Sequence, residues 1–349
     1  MMKRLSRRSF VRDVSLASAA FAVPNILRAA GSRKFIWADL VHLGFNMWQD
    51  VDTALRCEDA AWMEYTTHAR DVGFNMIVID LGEGIVYPSH PELAIKGSWS
   101  VDKLKKELAR LRKMGLEPIP KLNFSACHDA WLGPYGRMVS SERYYQVVAD
   151  LIGDVCELFG RPRFFHVGMD EETAAVQAKY EYVVCRQGKL WLNDLDFYRR
   201  EIEKHGARAW MWGDPSWSNP EFPKNVSRNI LQSNWYYWTD IDTWAEKAKE
   251  PRPVDEKKPV DAEVVEGRLS QLRAFRELDE AGYDQIPCTT NFFKTQNMAD
   301  MVAYCDKTIS PERLLGYCFA TWRETTLKER TKQKTDELFA LSEKIIKSH

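Results

Sequence analysis

Three consecutive acids, Asp170, Glu171 and Glu172, follow directly on the apolar run RFFHVGM (163–169). Carboxylates set side by side repel one another, so an apolar segment that ends in them calls for a chemical reason. Adjacent residues of an extended chain point to different sides. Asp170 and Glu171 can therefore serve one substrate in two roles. Burial at a strand end raises the pKa of one carboxyl of such a pair and lets it act as an acid near neutral pH. Glu172 leads toward the next helix, where a negative charge suits the positive helix N-terminus. A plain acidic helix start would also account for all three.

The ends of the other apolar runs weigh on that choice. "PKLNFSACHDAW" (120–131) brings His128 and Trp131, and "WMWGDPSW" (210–217) brings Trp212, Asp214 and Trp217. "NWYYW" (234–238) brings Trp235 and Tyr236, and "ATWRET" (320–325) brings Trp322 and Glu324. His166 lies inside the run that leads to the acids, and Asp80 closes "NMIVIDL" (75–81). Indole faces suit the C–H faces of a sugar ring, and carboxylates bind hydroxyls or protonate a glycosidic oxygen. The combination points to a carbohydrate pocket.

Such a pocket needs elements that bring distant segments to one rim. Eight short apolar runs read as buried strands: 40–48, 75–81, 117–124, 163–170, 207–214, 229–236, 287–293 and 314–322. Most intervals between them read as amphipathic helices. "SWSVDKLKKELARLRKMG" offers Ser100 as N-cap, a stripe of Leu104, Leu108 and Leu111, and a stop at Gly115. "SERYYQVVADLIGDVCELFG" stops at Gly160 and "NDLDFYRREIEKHG" at Gly206. Residues 264–282 and the last 24 are also amphipathic. Eight strands alternating with helices predict an α/β chain folded as a single-domain (β/α)8 TIM barrel over 31–349. The Gly-rich turn of a doubly wound dinucleotide fold is missing after the first run. In a barrel the strand C-termini carry the chemistry, which places Asp170 and Glu171 at the mouth. "EPRPVDEKKPVD" (250–261) reads as a charged loop inside the domain.

The motifs resemble glycoside hydrolase family 20, the β-N-acetylhexosaminidases. "HVGMDE" (166–171) is similar to the family's His-x-Gly-Gly-Asp-Glu signature. "PKLNFSACHDAW" is similar to its third-strand segment ending in His, with His128 matching. "LLGYCFATWRE" (314–324) resembles its closing segment, with Trp322 and Glu324 matching. The resemblance runs in order from about residue 40 to 325. It implies a retaining exo-glycosidase without an enzyme nucleophile, in which the substrate's 2-acetamido oxygen attacks the anomeric carbon. Glu171 would be acid and then base, Asp170 would orient the acetamido group, and His128 would support the acid. Trp212, Trp235 and Trp322 would wall the sugar, Glu324 would hold its hydroxyls, and Asp80 or Glu83 would stand in for the paired acid lost after the second strand. Met169 replaces a family Gly, and Lys121 and Asn123 stand where the family has acids. The family's first-strand Arg and the Tyr after its seventh strand are missing. A different or modified sugar, or an inactive carbohydrate-binding barrel, are the competing readings.

With 49 basic and 50 acidic residues the chain carries no basic excess for nucleic acid. Seven scattered Cys without CxxC or Cys/His clustering suggest neither a zinc site nor a disulfide framework. No metal or organic cofactor is expected, and the expected partner is a carbohydrate. "SRRSFVRD" followed by "VSLASAAFAV" resembles a twin-arginine export signal over 1–30, too short to span a membrane stably. It implies a periplasmic or extracellular bacterial protein.

Overall fold

The computed structural model describes residues 34–48, 51–219, 221–250 and 260–349. The export-signal reading of 1–30 and most of the 250–261 loop lie outside these residues.

Within Phe35–His349, eight strands form one all-parallel sheet: β1 (Ile36–His42), β2 (Met76–Asp80), β3 (Glu117–Lys121), β4 (Phe164–His166), β5 (Arg208–Trp212), β6 (Leu231–Ser233), β7 (Cys288–Thr290) and β8 (Gly316–Ala320). Neighbours run from β6 through β1 and β8 to β7. The remaining seam closes by backbone bonds, Ile286 N–H to Gln232 O at 2.9 Å and Cys288 N–H to Asn234 O at 2.9 Å. This is the expected (β/α)8 barrel. Around it lie α1 (Asp59–Val72), α2 (Val101–Lys113), α3 (Glu142–Leu158), α4 (Gly188–Lys204), α7 (Val260–Glu280), α8 (Gln296–Thr308) and α9 (Glu329–Ser348), with two one-turn helices, α5 (Phe222–Asn225) and α6 (Ile241–Trp244), beside β6. Ser100 and Ser141 cap α2 and α3, each accepting the N–H three residues on at 3.2 Å. Among the described residues no helix is long and apolar enough to cross a membrane.

The first strand departs from expectation. The run 40–48 predicts a strand there, but β1 begins at Ile36 and ends at His42. Leu43 and Met47 beyond it are buried in the loop, so the apolar run outlasts the strand.

Strand alternation sorts the side chains. Ile36, Ala38, Leu40, Met76, Val78, Ile119, Phe164, Trp210, Trp212 and Leu231 pack as one cluster inside the barrel. Trp37, Val41, Ile77, Ile79, Phe165, Ala209 and Met211 belong to the shell between strands and helices. The same parity carries His42, Asp80, Lys121, His166 and Trp212 to the inner top layer. The pocket stands on that layer.

Candidate active site

The floor is a buried charge pair. Lys121 Nζ donates to Asp80 Oδ2, and His42 Nδ1 lies 3.4 Å from the same carboxylate. Burial pushes the His42 imidazole down to about 4, so it stays neutral at neutral pH. Asp80 is thus committed to Lys121 beneath the pocket. His166 is equally internal: its Nδ1 accepts the Gly168 N–H at 3.0 Å, and its ring packs on Trp210 and Trp212.

After β4 the chain coils tightly. Gly168, Met169 and Glu171 take φ of 70°, 73° and 55°. This region is costly for residues with a Cβ, and such strain gathers at functional sites. A Cβ on Gly168 would lie 1.9 Å from Asn123 Oδ1, so only glycine fits there. That close approach places Asn123, whose Nδ2 donates to Asp170 Oδ1 at 2.8 Å. Ser125 Oγ holds the Asp170 backbone oxygen at 2.6 Å. His128 Nε2 sits between two carboxylates, 3.3 Å from Asp170 Oδ2 and 3.2 Å from Glu171 Oε2.

The electrostatics differ from the sequence expectation. Burial would raise the Asp170 carboxyl, but the His128 charge, the His128 hydrogen bond, Lys121 and Asn123 together outweigh it and hold Asp170 below the usual carboxylate range. Burial lowers His128, but Asp170 and Glu171 more than offset this, and the imidazole rises to about 10. It is therefore an imidazolium at neutral pH. The raised carboxyl belongs to Asp214: burial and the Asp170 charge push it well above the carboxylate range. Asp214 Oδ2 accepts the Glu171 N–H at 2.8 Å, and its Oδ1 is buried without a hydrogen-bond partner.

Glu172 corrects its sequence reading. It does not cap a helix. It is buried and paired with Arg186 at 2.6 Å, and it also accepts the Ala126 N–H at 2.9 Å. Arg186 spans on to Asp194 at 2.9 Å, so this pair pins the β4 loop to α4. Repulsion among the three acids is thus relieved by one cation each way, His128 for Asp170 and Glu171 and Arg186 for Glu172.

Above the floor lies a cavity of about 300 Å³ lined by Lys121, Asn123, His128, Asp170, Glu171 and an aromatic wall. The wall comprises Trp48, Trp212, Trp235, Tyr237, Trp238, Phe292, Phe293 and Trp322. The indole N–H groups of Trp212 and Trp322 are buried without a protein acceptor. Trp322 also takes a strained φ of 53°.

Sequence reasoning and geometry part at several positions. Asp170, Glu171, His128, Trp212, Trp235 and Trp322 converge on the cavity, and Asp214 stands behind Glu171. Trp131 is buried, donating from Nε1 to Asn123 O at 3.0 Å, and supports the site from below. Glu324 accepts from Lys328 Nζ at 2.7 Å and does not line the cavity. Tyr236 packs in the outer shell, its hydroxyl donating to Asp240 at 2.5 Å. The inward residue is its neighbour Tyr237. Alternation from Leu231 through Ser233 and Trp235 would have found it. Its hydroxyl donates to a poor acceptor, Cys288 Sγ at 3.7 Å. Met47, Trp48, Phe292 and Phe293 sit on loops, beyond the reach of strand parity.

Among the described residues, the one group of three or more His, Cys, Asp or Glu side chains with metal-ligand spacing is His128, Asp170 and Glu171, whose ligand atoms lie within 4.8 Å of one another. His128 Nε2 bridges the two carboxylates, 3.3 Å from Asp170 Oδ2 and 3.2 Å from Glu171 Oε2.

The fold and this mouth define the class: a (β/α)8 barrel with an aromatic, doubly acidic pocket at the strand C-termini. Among solved structures the chain is similar to a β-N-acetylhexosaminidase from Bacteroides fragilis, with TM-score 0.60 and 14% identity over 89% of this chain and 65% of that one. It is also similar to the GH20 β-N-acetylhexosaminidase from Streptomyces coelicolor, with TM-score 0.60 and 12% identity over 89% and 64%. A chitobiase from Flavobacterium johnsoniae gives 0.60 and 15% over 89% and 48%. The chain thus spans less than two thirds of the length of each, and at these identities the likeness is one of fold. No protein-family model and no curated protein matches the chain.

Proposed function

We propose that the protein is a divergent family 20 glycoside hydrolase that removes a terminal β-linked N-acetylhexosamine by substrate-assisted catalysis. The observation that carries the reading is the Asp170–Glu171 pair bridged by His128 at the mouth of an indole-walled cavity. The fold likeness to β-N-acetylhexosaminidases supports it. The cavity lies at the small end of ligand pockets and suits one sugar ring.

In this reading the 2-acetamido oxygen attacks C1 and the C1–O bond to the leaving group breaks. Glu171 gives its proton to the departing oxygen. An oxazolinium forms, and Asp170, kept charged by His128 and Asn123, stabilises the nitrogen as it becomes positive. Glu171 then takes a proton from water, whose oxygen opens the ring at C1 and restores the acetamide. Glu171 stands at the edge of the cavity, its side chain 39% exposed against 16% for Asp170, where it can reach a departing oxygen. Tyr237, free of any strong acceptor, takes the acetamido oxygen in place of the tyrosine missing after β7. Lys121 in the floor favours a second reading, a modified or different hexosamine, since it adds a cation where the family has an acid.

A sugar thiazoline, whose fused ring copies the oxazolinium, tests the mechanism by calorimetry. It should bind at least about 100-fold more tightly than N-acetylglucosamine, as analogues of a reactive species do. Asp170→Asn and Tyr237→Phe should each weaken it about tenfold, the loss of one hydrogen bond to a charged group. Equal binding of thiazoline and monosaccharide would contradict substrate assistance.

A further inference from the structure

Asp214 is an acid that the mechanism above leaves without a task. The sequence reading places it among the sugar ligands, but the residues that line the cavity do not include it. What it meets is the backbone of the acid: its Oδ2 accepts the Glu171 N–H at 2.8 Å.

Glu171 needs such a hold. Its φ of 55° is a left-handed conformation that a residue with a Cβ adopts only at a cost. Asn123, Ser125 and His128, all following β3, fix Asp170 and meet the Glu171 carboxylate. Asp214, following β5, takes the Glu171 backbone from the other side. Its own place is firm. An added Cβ on the preceding Gly213 would lie 3.0 Å from the Asn234 Cα, and the Gly213 N–H donates to Ser233 O at 2.9 Å. The Trp217 N–H returns to Asp214 O at 2.9 Å, and the Trp217 indole donates to Asn234 Oδ1 at 2.7 Å. The turn after β5 is thus clamped to the end of β6.

This carboxyl accepts without adding charge. Its Oδ1 is sealed without a partner, and burial and the Asp170 charge favour the protonated form. A third negative charge there would oppose Asp170 and Glu171, which already share one imidazolium.

Resting on the reading of Glu171 as the acid, we propose that Asp214 is its positioning residue: the hydrogen bond it accepts holds the Glu171 backbone left-handed and so keeps the Glu171 carboxyl over the bond that breaks.

The test compares kcat/KM for phenyl and 2,4-dinitrophenyl N-acetyl-β-glucosaminide in the full chain and its Asp214 variants. Phenoxide is the poorer leaving group and needs the proton, whereas dinitrophenoxide departs almost without it. Asp214→Leu removes the acceptor. It should lower kcat/KM about tenfold on the phenyl glycoside and no more than about twofold on the dinitrophenyl one, since a displaced acid costs rate only where its proton is needed. Affinity for N-acetylglucosamine, read by calorimetry, should stay within about twofold, because Asp214 does not line the cavity. Asp214→Asn keeps an acceptor oxygen without a charge and should recover most of the phenyl rate. Asp214→Ala repeats the comparison without added bulk if Asp214→Leu does not fold. Equal effects on the two glycosides, weakened binding of N-acetylglucosamine or no recovery in Asp214→Asn each overturn the positioning role and leave the proposed activity standing. Turnover of neither glycoside by the wild type overturns the proposed activity and this role with it.

Discussion

Asp170 stays charged because one imidazolium serves two carboxylates. His128 reaches Asp170 and Glu171 from a single nitrogen, 3.3 and 3.2 Å away. This sets a pH dependence whose sign follows from linkage. His128 titrates near 6.5 when unfolded and near 10 in the fold. Its stabilisation is therefore complete below about 6.5 and lost as pH rises through about 10. The thermal midpoint of the wild type should exceed that of His128→Gln at pH 6, and the gap should close by pH 10. A gap that stays constant over that range would mean that His128 is neutral in the fold. Asp170 has the opposite sense: held below its usual range, it stabilises the fold above about pH 4 and loses that effect in stronger acid.

At the scale of elements, the β4 loop is held by Arg186, which answers two buried carboxylates, Glu172 and Asp194, and donates to Tyr198 Oη and Phe124 O at 2.7 Å each. Arg186→Met leaves both acids uncompensated. It should cost about 3–5 kcal/mol in urea unfolding, as breaking a buried pair does. A change under about 1 kcal/mol would show that the pair is dispensable. The elements also explain what the sequence disclosed. Apolar runs, serine caps and glycine stops are local signals, and they placed the barrel and the mouth. Asp170, Glu171, His128 and three tryptophans could be gathered because each lies at or just beyond the C-terminal end of a strand. The role of Glu172 could not be read, because its partner lies 14 residues on with no periodic link. Tyr236 was chosen over Tyr237 where alternation favoured the latter. Trp131 and Asp80 carry pocket-like residue types but are spent on Asn123 and Lys121. The apolar run outlasts β1 because Leu43 and Met47 stay buried in the loop that follows.

Phe35–His349 is a barrel whose floor pairs Lys121 with Asp80 and whose mouth groups Asp170 and Glu171 around His128. The Trp212 and Trp322 rings line the space between them, their N–H groups buried and without protein acceptors. In the proposed reading the cavity takes one ring, and Glu171 at its edge protonates the bond that breaks. In the proposed mechanism the sugar supplies its own nucleophile and Glu171 the proton. Release of 4-nitrophenol from the β-N-acetylglucosaminide, β-N-acetylgalactosaminide, β-glucoside and β-galactoside, by wild type and Glu171→Gln, tests it most directly. Turnover confined to the acetamido sugars, lowered at least about 100-fold in Glu171→Gln as loss of a general acid requires, is the predicted result. Turnover of the sugars that lack the acetamido group would contradict the account, since it demands a nucleophile from the protein.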